Sequence, residues 1–222
     1  MRKISIILCL CFSIFKIQAQ NPEDKLGTWY MYNGSHKVSE KWSIKTMAHF
    51  RYYEFASNFQ QEIYRLGANY TFHKKLNVTL GYSYLTTDVV FGKPNSTIFE
   101  NRIYEDINYT NFLSKLKLRH RFRFEHRFLK TNSINDTSQW FRYDLNLNYP
   151  ITDKWSVYAF NEIFLNLDQS KRFVQNWAGA GFLYKLNENI KLNLGYFYQK
   201  LPNAGFNRIL VGVVLNTDFN EN

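Results

Sequence analysis

The sequence predicts an all-β fold: an antiparallel transmembrane β-barrel of about ten spanning strands plus an N-terminal strand segment, with twelve strands as the alternative count. Three observations predict it. Polar and apolar residues alternate with period two in one segment after another, short connections alternate with longer ones, and no apolar run is long enough for a membrane helix. The longest apolar run after residue 19, "ILVGVVL" from Ile209, falls far short of the roughly 20 residues that a helical crossing needs.

The alternation is clearest in "KLKLRHRFRFEHRF", from Lys115 to Phe128. Odd positions carry Lys115, Lys117, Arg119, Arg121, Arg123, Glu125 and Arg127; even positions carry Leu116, Leu118, His120, Phe122, Phe124, His126 and Phe128. A helix would scatter those charges around its circumference at about 100° per residue, whereas a strand puts them on one side. At about 3.3 Å per residue the segment spans roughly 46 Å, enough to cross an outer membrane at a tilt of about 40°. Strands are expected to begin near Trp42, Gln61, Leu76, Phe99, Lys115, Trp140, Lys154, Arg172, Ile190 and Asn207. "TWYMYNG" from Thr28 reads as a partial strand that would make an odd total, against the even number usual for single-chain bacterial barrels. Short turns fall at "HKKL", "NFLS", "PITD" and "LNEN", and the longer connections lie between them. Pairing Thr110 with Lys115 across "NFLS" would set Arg119 against Asp106, Arg123 against Arg102 and Glu125 against Glu100, with Arg102–Glu125 and Glu100–Arg123 as neutralising diagonals.

Residues 1–19 stand apart: Arg2 and Lys3, an apolar run from Ile4 to Phe15, then "KIQAQ". This predicts a cleaved signal peptide and an outer-membrane barrel domain over residues 20–222. Both cysteines, Cys9 and Cys11, lie in the leader, so the exported chain would have no disulfide and no Cys ligand for metal. Removing Arg2, Lys3 and Lys16 takes the formal charge from +10 to +7. An exported basic chain is expected to meet outer-membrane lipids, small anions or anionic headgroups, and no nucleic acid.

By parity the interior is basic. Arg51, Arg65, Arg102, Lys115, Lys117, Arg119, Arg121, Arg123, Arg127, Arg142 and Arg208 are expected inside, with Glu100, Asp106, Glu125, Asp144 and Glu162 as acidic partners. An ion-pair network of this kind would largely plug a small barrel, and a surplus of guanidinium would favour anions in a narrow pore or a ligand site. No catalytic group is identified. Of the five histidines only His49 takes an inward parity near hydroxyls such as Ser43 and Ser83, which is too little for a hydrolase. No HxH or HExxH spacing occurs, so neither a metal nor another cofactor is expected. His120 falls on the outward face without an obvious reason. Trp29, Trp42, Trp140 and Trp155 fall near strand ends, as in an interfacial girdle.

The ordered motifs "ENRIYED" at Glu100, "LRHRFRFEHRF" at Leu118, "FRYDLNLNYPI" at Phe141, "NEIFLN" at Asn161, "RFVQNWAGAGFLY" at Arg172 and "GYFYQ" at Gly195 resemble the DUF2490 family, a group common in Bacteroidetes. The resemblance covers almost the whole chain after the leader, and implies an outer-membrane β-barrel with no activity attached. Where the family pattern carries Arg after Gln-Asn, this chain has Trp177, so that residue's role does not transfer. "VVLNTDF", ending at Phe219, resembles the terminal-strand signal that the barrel-assembly machinery reads. The alternative class is a secreted soluble periplasmic β-barrel that binds a ligand, for which the aromatic faces would have to be interior.

Overall fold

A computed structural model describes residues 25–88, 97–131 and 135–219; the expected leader lies outside the described residues. The strands are β1 (Leu26–Lys37), β2 (Trp42–Tyr52), β3 (Phe59–His73), β4 (Leu76–Asp88), β5 (Thr97–Leu113), β6 (Leu116–Lys130), β7 (Asn135–Pro150), β8 (Trp155–Asn166), β9 (Phe173–Lys185), β10 (Ile190–Lys200) and β11 (Gly205–Asp218). Each pairs with its neighbours in sequence, and β1 also pairs with β11, closing a barrel.

The described strands number eleven, in line with the expected ten plus an N-terminal segment, although β1, over "TWYMYNG", is a full strand of 12 residues and not a partial one. The expected antiparallel pairing holds between all sequence neighbours, and the closing pair is the exception. When an odd number of strands alternates in direction, the first and last must run the same way, and β1 pairs with β11 in parallel from Leu26↔Asn207 to Lys37↔Asp218. The start of β1 therefore lies at the end opposite the finish of β11. Connections after β1, β3, β5, β7 and β9 gather at one end, the short-turn end, where two residues join β3 to β4 and two join β5 to β6.

That last turn shifts a register. The strand continues through Asn111, Phe112 and Leu113 and reverses over Ser114 and Lys115, with Ser114 in the left-handed region at φ 56°. Leu113 then faces Leu116, so Arg119 faces Thr110, Arg123 faces Asp106, Arg102 faces Arg127 and Tyr104 faces Glu125. The offset from the expected pairing is even, so every side chain keeps its side of the sheet.

Aliphatic and aromatic side chains cover the outside. Leu66, Leu80, Leu194 and Phe182 are more than half exposed. His120 lies among them between Tyr109 and Tyr143, and its Nδ1 is 2.9 Å from the Tyr143 hydroxyl, which supplies the partner that the sequence left unnamed. Trp42 and Trp155 are exposed at the short-turn end, but Trp29 is 2% exposed inside and Trp140 packs against the interior cluster, which corrects their place in a girdle.

The interior is half apolar. Trp29, Phe164, Trp177, Phe197 and Leu210 form a buried cluster contributed by β1 and β8–β11. Trp29 meets Trp177 and Phe197 edge-on at 4.9 and 4.8 Å. Tyrosine rings lie over glycines where a Cβ would not fit: Tyr104 covers Gly67 and Gly81, and the Tyr158 hydroxyl sits over Gly181 and Gly195. Missing Cβ atoms thus let inward rings lie flat against the wall.

Candidate functional site in the lumen

Beside the aromatic cluster, on β5–β8, the inward charges form a connected ladder, with Arg142 lying 4.1 Å over the Phe164 ring. Arg127 grips Glu100 with Nε at 2.7 Å and Nη2 at 2.8 Å. Arg102 joins Glu100 at 2.7 Å to Glu125 at 2.9 Å. Glu125, whose side chain is fully buried, also accepts from Arg142 at 2.7 Å. Arg142 continues to Glu162 at 2.7 Å, which Arg121 reaches at the same distance. Arg119 bonds Asp144 at 3.1 Å, and Arg123 holds Asp106 in a two-bond fork at 2.5 and 2.6 Å. Fork geometry suits guanidinium and carboxylate planes, and buried carboxylates with several donors hold their neighbours in one arrangement.

Several expected pairs change with the register. Arg102–Glu125 forms, whereas Glu100 takes Arg127 in place of Arg123, and Arg119 takes Asp144 in place of Asp106. Arg123 is matched to Asp106 because the tighter turn brings them face to face.

The lumen holds a cavity of about 630 Å³. Of the residues expected inside, Arg51, Arg65, Arg102, Lys117, Arg119, Arg121, Arg123, Arg127, Arg142, Asp106, Asp144 and Glu162 line it. Glu100 and Glu125 are buried within the ladder. Lys115 sits exposed in the β5–β6 turn. Arg208 is fully buried in the β1–β11 seam, its guanidinium over Gly27, and its Nη1 and Nη2 have no hydrogen-bond partner among the described residues.

The remaining cations on β2 and β3 differ from the ladder. Arg51 donates from Nη1 to Gln61 at 2.7 Å and lies 3.6 Å above the Trp29 ring. Arg65 donates from Nε to Ser83 at 2.9 Å and faces the Tyr104 ring at 4.8 Å. His49 Nε2 is 3.4 Å from Asn33 Oδ1. Among the described residues none of these three has a carboxylate partner. Toward the short-turn end the cavity is lined by amides and hydroxyls, including Asn69, Asn77, Asn108, Asn146, Asn193 and Asn216, beside Lys45 and Lys117. Among the described residues no group of three or more His, Cys, Asp or Glu is arranged to hold a metal.

Sequence parity alone missed the apolar half of this interior. Trp29, Ile63, Leu85, Tyr104, Phe164, Trp177, Phe197 and Leu210 are all buried. Their signal was present as aromatic or aliphatic residues at positions where the neighbouring alternation calls for polar ones.

Residues 26–209 match the family described as "Protein of unknown function (DUF2490)". The chain belongs to the DUF2490 family. No curated protein matches the sequence. Among solved structures, this DUF2490 chain is similar to the NanC porin, with 12% identity and a TM-score of 0.53 over 86% of this chain and 98% of that one. It is also similar to LpxR from Salmonella typhimurium, with 8% identity and a TM-score of 0.45 over 78% of this chain and 83% of that one. An anion-selective porin from Comamonas acidovorans has 14% identity and a TM-score of 0.39 over 82% of this chain and 53% of that one. The NanC match shows that the DUF2490 barrel shares a fold with a porin despite little sequence in common.

Proposed function

We propose that this DUF2490 protein is an integral outer-membrane β-barrel whose lumen is a blind, anion-favouring pocket open toward the short-turn end. The carrying observation is the exposed apolar belt around an enclosed basic interior. Leu66, Leu80, Ile107, Leu192, Leu194 and Val213 point outward between Trp42 and Trp155 near one rim and Tyr64, Tyr84 and Tyr198 toward the other. Soluble monomers rarely expose apolar patches beyond a few hundred Å², whereas a bilayer covers such a belt. The porin-like fold supports the same reading, and the two-residue turns, both at one end, suit a periplasmic side.

The pocket is blind because the far half is filled. Trp29, Phe164, Trp177 and Phe197 are at most 8% exposed, and the ion-pair ladder packs the adjoining wall. The lumen serves as a binding chamber, and the barrel-assembly machinery inserts the chain. Reconstitution tests this. The protein should migrate heat-modifiably in detergent gels, resist carbonate extraction, and show no general-porin conductance in planar bilayers. Release by carbonate would overturn the membrane reading, and large steady conductance would overturn the blind pocket. A narrow anion pore is the second reading, favoured by Arg51, which covers Trp29 with a single hydrogen bond to hold it.

A further inference from the structure

We infer that the ligand site within this lumen lies on the β2–β3 wall, at His49, Arg51 and Arg65, and takes a small molecule with at least two negative charges. The inference rests on the anion-pocket reading and gives it a location and a charge class. The Arg-rich strand β6 is the conspicuous feature of the sequence, yet each of its guanidiniums already holds a carboxylate, even though Arg119 Nε, Arg121 Nε and Arg123 Nη1 have no hydrogen-bond partner among the described residues. Arg123 is forked onto Asp106, Arg121 bonds Glu162, Arg127 is forked onto Glu100 and Arg119 bonds Asp144. An anion arriving there would compete with carboxylates already in place.

Arg51 and Arg65 have no such competitor. In the β2–β3 register, Arg51 faces Gln61, His49 faces Ile63 and Met47 faces Arg65, so the two guanidiniums flank the His49–Ile63 pair on one inward surface. All three basic residues line the cavity, and their partners are neutral: Gln61, Asn33 and Ser83. His49 Nδ1 and Arg51 Nε are buried without a hydrogen-bond partner. Aromatic rings back both guanidiniums, Trp29 at 3.6 Å and Tyr104 at 4.8 Å, which fixes their planes without neutralising them. Two positive charges held in place with no carboxylate in contact call for a partner carrying two negative charges. Phosphate monoesters and small dicarboxylates share that chemistry.

The test uses the full barrel in detergent, with intrinsic Trp fluorescence and the thermal unfolding midpoint as readouts, and inorganic phosphate, malonate and chloride as probes. Phosphate or malonate should perturb the fluorescence saturably and raise the midpoint, at least tenfold more effectively than chloride at matched ionic strength. Whichever of the two binds more tightly identifies the headgroup. Arg51→Met combined with Arg65→Met should weaken that binding at least tenfold while raising the ligand-free midpoint, because an uncompensated charge pair is removed. Arg121→Met should lower the ligand-free midpoint, because it takes a partner from Glu162. Binding within twofold of wild type in the double variant, equal responses to chloride and phosphate, or no saturable response from the folded wild type would each overturn the inference. Failure to insert into bilayers would instead count against the membrane reading.

Discussion

Glu125 and Arg142 meet at 2.7 Å across the β6–β7 pair, with the glutamate side chain fully buried and the arginine 8% exposed. Glu125 also accepts from Arg102 at 2.9 Å and lies 3.7 Å from Arg123, so one carboxylate faces three guanidiniums. Removing it leaves buried charge uncompensated, whereas an apolar replacement of a whole cluster would not. Glu125→Gln should therefore lower stability by about 3–5 kcal/mol, measured as the shift in urea unfolding of the folded barrel. A shift below 1 kcal/mol would mean that the ladder is wet and screened.

Tyr104 offers a test of how closely the wall is fitted. A Cβ on Gly81 would meet the ring itself, with Cζ and Cε1 within 2.5 Å, whereas one on Gly67 would meet chiefly the hydroxyl, also at 2.5 Å. Gly67→Ala and Gly81→Ala should each cost about 1–3 kcal/mol. Adding Tyr104→Phe should recover much of the loss at Gly67 and little at Gly81. A double-mutant cycle in unfolding free energy checks this, and equal recovery at both sites would contradict the geometry.

The aromatic half of the lumen should act as a stopper. Trp177 and Phe197 lie with ring centroids 5.6 Å apart at its centre. Trp177→Ala with Phe197→Ala should turn a silent barrel into one with measurable, anion-favouring conductance in planar bilayers. The large-to-small changes should also cost several kcal/mol, at about 3–5 kcal/mol per buried aromatic. If the variant folds and stays silent, the closure lies elsewhere.

The loop after β2 carries a pH-sensitive fastening. Glu54 accepts hydrogen bonds from Lys25, from Ser57 at 2.9 Å and from Asn58 at 2.7 Å, and the Lys25 bond leads in holding its carboxyl below the usual range. A depressed carboxylate stabilises the folded loop above its unfolded pKa of about 4.3, and that contribution is lost as pH falls through the lower, folded value. Hydrogen exchange at the Tyr53 amide, bonded to the Asn58 carbonyl at 2.8 Å, should therefore speed up relative to its intrinsic rate below about pH 4. Glu54→Gln should remove that dependence.

The architecture was legible in particular residues. Lys117 to Phe128 and Ile190 to Tyr196 alternate so strictly that strand, face and approximate bounds follow from period two alone. Register was not legible across "NFLS", because several turns fit that segment and Ser114 adopts a left-handed conformation that its residue type does not announce. The site was legible as a set of inward cations, but its division was not. Parity places Arg51 and Arg123 on the same inner surface, whereas only the three-dimensional pairing shows that Arg123 has Asp106 and Arg51 has Trp29. The strand direction at closure depended on counting β1 as a full strand, which its short, aromatic "TWYMYNG" motif left open.

The central claim is that apolar side chains such as Leu80 and Leu194 lie against hydrocarbon while Asn108 and Arg121 look into an enclosed aqueous pocket. Single-cysteine spin labels in liposomes test it most directly, using a background without Cys9 and Cys11. The account predicts that labels at residues 80 and 194 relax strongly with oxygen and weakly with a water-soluble nickel chelate, and that the label at residue 108 does the reverse. Equal access of the nickel chelate to all three positions would contradict it.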